Sequence, residues 1–187
     1  MVHPDGLVIR WTWYALIATW VVLALRTKRT VERRSQARVI VVVLLGLAVA
    51  GASGSSTGAW HRPLWSVTST LSVLATSLVV LGAAFAIWAR LAIGANWSGT
   101  VALKEDHELV VSGPYRVVRH PIYTGLIAMG LGTVIMYPQP VYLAILALSS
   151  SIVLARIPVE ERLMTETFPD QYPAYRRRVK AVIPFIL

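Results

Sequence analysis

PIYTGLIAMGLGTVIMYPQPVYLAILALSSSIVLA, residues 121–155, runs for 35 residues without a charged side chain. A helix needs roughly 20 apolar residues to cross ~30 Å of hydrocarbon. The run is therefore too long for one span, and Pro138 and Pro140 interrupt it near the middle. Proline removes an amide donor and clashes inside a helix, which places a hairpin at Tyr137-Pro138-Gln139-Pro140. Each arm then holds about 15 residues, or ~22 Å at 1.5 Å per residue. Such short arms either extend past these limits or sit where the bilayer is thin.

Working outward, Leu7–Leu25 is apolar apart from Arg10, Val39–Trp60 carries no charge over 22 residues, and Pro63–Ala89 carries none over 27. The count is five spans, with four as the alternative. Composition agrees. Of 187 residues 56% are hydrophobic and 14% charged, with a mean hydropathy of +0.61, against about a quarter charged in a soluble domain. The first span has no basic segment before it and no small-residue cleavage site, so it reads as a mature helix and not as a signal peptide. The expected fold is all-α: a polytopic integral membrane protein of five transmembrane helices, with a cytoplasmic cofactor-binding loop and a C-terminal amphipathic helix.

The net charge is +9, and its distribution decides what it means. Arg26–Arg38 holds six Lys or Arg, Arg90–Arg119 four, and the tail from Arg156 six, leaving only Arg10 and Arg62 of the 18. Five spans put all three segments on one side, which the positive-inside rule makes cytoplasmic. The N-terminus is then outside, in a cell inner membrane. Topology and contact with anionic lipid account for the basic excess. No nucleic-acid partner is expected, because no binding fold accompanies the charge.

The chain reads as a single membrane domain, 1–187, in which residues 1–90 form a three-span scaffold and 91–187 a catalytic region. Gly46, Ala50 and Gly54 recur every four residues in the second span, a spacing that permits close helix approach; internal packing or a homodimer face both fit, and the oligomeric state stays open. Trp11, Trp13, Trp60, Trp65 and Trp88 fall near the expected interfaces, as belt residues do. Residues 91–120 are too long for a mere connection and gather charged, aromatic and turn-forming types.

Several chemistries are excluded. There is no cysteine, hence no disulfide or thiolate nucleophile. His107-Glu108 lacks the second histidine of a zinc-protease helix, since Val111 stands there,. The histidines at 3, 61, 107 and 120 are too dispersed for a metal site,. What remains is the start of the fourth span. His120 precedes Pro121, a residue suited to a first helical turn, so Arg119 and His120 sit at a positive helix end that favours an anion. Tyr115 and Tyr123 flank them. Arg156 and Glu160, four residues apart, share a helix face. Ionisable groups at membrane depth are functional candidates, although a snorkelling Arg156 paired with Glu160 for structure alone fits the spacing equally well.

The run Glu105-Asp106-His107-Glu108-Leu109-Val110, then Gly113-Pro114-Tyr115-Arg116, then Arg119-His120-Pro121-Ile122-Tyr123-Thr124-Gly125 resembles the isoprenylcysteine carboxyl methyltransferase family and its phospholipid methyltransferase relatives. Glu160-Glu161-Arg162-Leu163, followed by Phe168, Tyr172, Tyr175 and Pro184-Phe185, resembles it too. Pro169 departs from the glycine that often follows the phenylalanine. The resemblance covers about residues 90–187 and implies an S-adenosylmethionine site at the membrane surface. It implies that His107, Glu108, Leu109, Val110, Tyr115, His120, Pro121, Ile122 and Tyr123 line the cofactor, with Arg119 beside them at the helix end. It also implies that Arg156 and Glu160 face the methyl acceptor.

Three functions follow as expectations. The first is carboxyl O-methylation of a lipophilic acid of prenylated or fatty-acid type, drawn from the bilayer. The alternative is N-methylation of an amine headgroup, which needs a base such as Glu160, Glu161 or His120. A non-catalytic membrane scaffold or small transporter is the minor alternative. Arg156 beside the acceptor favours a carboxylate, because a cation disfavours a protonated amine.

Overall fold

Residues 4–25, 30–33, 59–97, 102–104 and 108–184 are described by the computed structural model. Most of them lie in five helices: α1 (Pro4–Ala24), α2 (Ser69–Ile93), α3 (Pro121–Met136), α4 (Pro140–Thr167) and α5 (Tyr172–Arg178). Helix starts follow ordinary capping chemistry. The Thr68 hydroxyl accepts from the Leu71 amide at 3.3 Å ahead of α2, and Pro121 and Pro140 stand in the first turns of α3 and α4, where a missing amide hydrogen costs nothing. A short antiparallel ribbon pairs β1 (Thr30–Arg33) with β2 (Ala102–Lys104). It adds a β element to the all-α expectation and ties the segment after α1 to the segment after α2.

Three helical stretches are long and apolar enough to cross a membrane: Asp5–Ala24, Ser69–Asn96 and Pro140–Thr167. α3 is apolar but only 16 residues long, about 24 Å. Val39–Trp60, with Gly46, Ala50 and Gly54, lies outside the described residues except at its last two positions. Apolar side chains face outward along the spans, among them Val22, Val73, Leu81 and Leu148. The chain is an integral membrane protein of helical class.

The expected hairpin is present. α3 stops at Met136, and Gln139 precedes α4 in extended conformation. The far end of α4 takes the extended course of the two expected for a short arm. The apolar run stops at Ala155, but the helix continues to Thr167 with Pro158 inside it. Proline deletes only the bond its own amide would make to residue 154, and the following Glu161-Arg162-Leu163-Met164 are good helix formers. Arg156 and Glu160 therefore sit within a helix about 42 Å long, some 24 and 30 Å from its start, close to where the hydrocarbon of a bilayer ends.

The most extensive helix pairing is α2 against α3. A Cβ on Gly125 would lie 2.5 Å from the Gly82 carbonyl oxygen, and one on Gly82 would lie 2.7 Å from the Gly125 carbonyl oxygen. Only hydrogen fits at these crossings, so the two backbones touch, and Ala75, Val79, Ala83 and Ala86 fill the rest of the seam. Small residues drive such contacts in lipid, where apolar burial offers little gain. α1 closes over this pair, with Trp13 Nε1 donating to Thr133 Oγ1 at 3.1 Å. The result is a rigid platform for the start of α3.

Candidate active site

The approach to α3 is folded tightly. Gly113 has φ +59°, a left-handed conformation that costs glycine little. It opens a 3-10 turn over Gly113–Arg116, with Pro114 and Tyr115 buried. The Tyr115 hydroxyl points toward the Ala89 carbonyl at 3.5 Å, and the Tyr115 carbonyl accepts from the Tyr175 hydroxyl at 2.6 Å. The next residues run beside the tail in a parallel bridge, Val118 with Lys180. The Arg119 and His120 amides donate to the carbonyls of Lys180 (2.8 Å) and Ala181 (2.9 Å). The tail thus takes the amides of the two residues that lead into the positive end of α3.

His120 and Tyr123 lie one turn apart, and their rings stack at 5.5 Å with 5° between planes. The C-terminal half of α4 covers them with two adjacent carboxylates. Glu160 Oε1 accepts from the Tyr123 hydroxyl at 2.5 Å and from Arg156 through Nε at 3.1 Å and Nη2 at 2.9 Å. Its other oxygen is 3.5 Å from His120 Nδ1. Glu161 Oε1 accepts from Arg119 Nε at 2.9 Å and Nη2 at 2.5 Å, and lies 3.4 Å from His120 Nε2. Glu161 Oε2 is 3.0 Å from Arg176 Nε. The imidazole thus bridges two carboxylates that neighbouring guanidiniums already hold.

The electrostatics follow from this list. Burial opposes charge on His120, but its contacts with the Glu160 and Glu161 carboxylates outweigh burial and raise its pKa above the usual histidine value,. Three guanidiniums, of Arg119, Arg156 and Arg176, face two carboxylates. The network has one positive charge in excess, and two when His120 is an imidazolium. Arg156 and Arg119, with side chains only 7% and 8% exposed, balance the two carboxylates; Arg176 is 59% exposed and its charge is screened by water, so a buried positive excess arises when His120, 10% exposed, is an imidazolium. Burial also pushes the Tyr115 phenol well above its usual pKa, which leaves it a hydrogen-bond donor at any working pH.

Of the expected site residues, the fold brings Arg119, His120, Tyr123, Arg156 and Glu160 into one connected network, with Pro121 and Ile122 buried in the same turn and Tyr115 buried at its edge. His107 lies outside the described residues. Glu108 is exposed, and Leu109 and Val110 are half-buried, Val110 against the apolar core. Among the described residues, no hydrogen bond or ion pair joins Glu108–Val110 to the network. Arg176 is not singled out by sequence; Tyr175 enters only among the residues of the family resemblance, and Glu161 there and as a candidate base for an amine acceptor. The place of Glu161 facing Arg119 and Arg176 is not legible, because a helix turns two adjacent acids toward different neighbours. Arg176 is hidden among the Arg176-Arg177-Arg178 run that topology already explained.

A family model described as the isoprenylcysteine carboxyl methyltransferase (ICMT) family matches residues 73–166, just over half of the chain. The protein-S-isoprenylcysteine O-methyltransferase B of Arabidopsis thaliana is 29% identical over 123 residues, covering 62% of this chain and 60% of that protein. The cobalt-zinc-cadmium resistance protein CzcN of Cupriavidus metallidurans is 33% identical over 148 residues, covering 79% of this chain and 61% of that protein. The chain thus spans about three fifths of the length of these curated relatives. Among solved structures, the eukaryotic intramembrane Ras methyltransferase ICMT matches with a TM-score of 0.64 at 22% identity, over 97% of this chain and 65% of that one. At that identity the match speaks for the fold. Through the family match over residues 73–166, which takes in its central helices, the chain belongs to the isoprenylcysteine carboxyl methyltransferase family.

Proposed function

We propose that the chain is an S-adenosylmethionine-dependent membrane methyltransferase that esterifies the carboxylate of a lipophilic acid, of prenylated or fatty-acid type. The observation that carries this reading is the charge of the buried network. Arg119, Arg156 and a protonated His120, all buried, outnumber its two carboxylates, which attracts an anionic acceptor and repels a protonated amine. His120, Glu160 and Glu161, the candidate bases for an amine, are instead bound to one another and to arginines. The name of the Arabidopsis relative, an O-methyltransferase, supports the reading.

The donor set suits the methyl donor. Cationic excess matches a carboxylate such as that of an amino acid moiety, and the His120–Tyr123 stack offers a flat aromatic face. His107, Glu108, Leu109, Val110, Tyr115, His120, Pro121, Ile122 and Tyr123 form the donor side in this reading. Bound S-adenosylmethionine supplies an electrophilic methyl carbon, which an acceptor oxygen takes as the bond to sulfur breaks and a neutral thioether is left. Arg156 orients the acceptor carboxylate with its fork of donors. Glu160 fixes that guanidinium along one edge, and Tyr123 fixes Glu160. A carboxylate is ionised at neutral pH, so no general base is required; positioning supplies most of the advantage.

In this reading the chain has five spans, its N-terminus outside, and its site on the cytoplasmic face of the cell inner membrane. Residues 1–90 are scaffold and residues 91–187 form the catalytic region. The acceptor enters from the bilayer, and the donor enters from water. The test is direct. Membranes carrying the protein receive methyl-labelled S-adenosylmethionine and lipid extract, and base-labile label released as methanol indicates an ester. Base-stable label points to amine methylation, and no transfer despite donor binding points to a scaffold. Tyr115→Ala is expected to weaken donor binding.

A further inference from the structure

Arg119 stands next to His120 in sequence, yet its side chain is committed to the protein. Nε and Nη2 donate to Glu161 Oε1, and Nη1 donates to the Arg176 carbonyl at 3.1 Å and to the Val179 carbonyl. A guanidinium has five N–H donors, and at least four are in use. Around it the tail is fastened at further points: Tyr175 hydroxyl to the Tyr115 carbonyl at 2.6 Å, and Thr124 Oγ1 to the Val182 carbonyl at 2.7 Å. A seven-residue helix such as α5 is too short to be stable alone. Its order comes from what it is fastened to.

We propose that Arg119 and Tyr175 are positioning residues that rivet residues 175–182 to residues 115–124, and thereby fix Tyr115, His120 and Tyr123 against Glu160 and Glu161 without touching either reactant. The chemistry of arginine suits this task. One planar fork binds a carboxylate on one edge and two carbonyls on another, which a lysine point charge cannot do. The activity readouts below rest on the methyl-transfer reading; the exchange readout does not.

The absence of cysteine makes a covalent substitute for the rivet practical. Val118 and Lys180 are bridge partners, and neighbouring strands lie about 4.8 Å apart, within the Cα range of a disulfide. The experiment compares wild type, Arg119→Ala, Arg119→Lys, Tyr175→Phe, and Arg119→Ala combined with Val118→Cys and Lys180→Cys, all in lipid nanodiscs. Amide hydrogen exchange at positions 119 and 120 is followed together with donor KM and kcat. Arg119→Ala and Arg119→Lys are expected to lose at least tenfold protection at those amides, with α2 unchanged, and to lose about thirtyfold in kcat/KM. The oxidised disulfide is expected to restore both within about threefold. Tyr175→Phe, which removes one hydroxyl, is expected to raise donor KM severalfold with kcat within twofold.

Two outcomes overturn the proposal. Arg119→Ala could lose turnover with full amide protection, or the disulfide could restore protection without turnover; either would mean that Arg119 contacts a reactant. Unchanged KM and protection in Tyr175→Phe removes Tyr175 from it. If wild type transfers no methyl group, the functional reading fails, and the amide exchange still decides whether the rivet exists.

Discussion

Replacing Arg156 separates a catalytic arginine from a structural one, provided that Glu160 is changed with it. In Arg156→Ala the Glu160 carboxylate loses two donors, at 3.1 and 2.9 Å, from a side chain only 7% exposed. At an effective dielectric of about 20 that contact is worth roughly 5 kcal/mol before solvation is counted. Breaking a buried pair from one side commonly costs about 3–5 kcal/mol. Tyr123 and His120 still face Glu160, which places the expected loss near the lower end, about 3 kcal/mol. That loss alone could abolish turnover and prove nothing. Arg156→Met with Glu160→Gln removes both charges at similar volume, and such replacements are often neutral for stability. The double variant should unfold close to wild type by thermal scanning in detergent and should still bind the methyl donor. It should have lost the charge-assisted bond to the acceptor, about 1.5–3 kcal/mol, or roughly ten- to a hundredfold in kcat/KM at 1.4 kcal/mol per decade. A double variant with wild-type stability and wild-type turnover would refute the reasoning and leave Arg156 as a structural ion pair.

Tyr123→Phe removes the 2.5 Å bond to Glu160 and should lower kcat/KM several-fold with little change in donor affinity, measured by steady-state kinetics. Gly125→Ala sets a Cβ 2.5 Å from the Gly82 carbonyl oxygen and 2.8 Å from the Ala86 Cβ; the helices must part, at about 1–3 kcal/mol, read as a lower unfolding temperature. The raised pKa of His120 has a definite sign for stability. The folded state binds the proton more tightly, so the contribution is complete below the unfolded value of about 6.5 and is lost as pH rises through the folded value. The unfolding temperature should fall between pH 6 and pH 9, and His120→Gln should flatten that slope.

Much of the architecture is legible in the sequence, because lipid as a solvent leaves few choices. Uncharged runs and the two prolines at 138 and 140 are enough to place the α3–α4 hairpin,. The end of α4 is legible through the Arg156–Glu160 spacing but not through hydropathy. Hydropathy stops at Ala155, but helix formation depends on backbone bonding, which residues 159–167 sustain in a polar setting. The pairing of α2 with α3 through Gly82 and Gly125 is also hidden, since Gly82 has no partner visible within its own span. At the site, Arg156 and Glu160 are readable as an i, i+4 pair because one helix places both. Glu161 with Arg119 and Arg176 is not, because those three come from separate elements.

The adjacency of Glu160 and Glu161 is what joins the halves of this site. Successive residues on a helix point about 100° apart, so the two acids take different arginines. Glu160 faces Arg156 and Tyr123, on the side of the membrane-spanning hairpin. Glu161 faces Arg119 and Arg176, on the side of the polar tail. His120 lies between them, within 3.5 Å of one and 3.4 Å of the other, and carries the coupling through a single ring. A water-soluble methyl donor and a bilayer-dissolved acid can react only where an aqueous and an apolar environment share a wall. One helical turn with an acid on each side of that wall, at about the depth where the hydrocarbon ends, meets this requirement in the proposed reaction. Moving either acid by one position would turn it away from its arginine and uncouple the tail from the span.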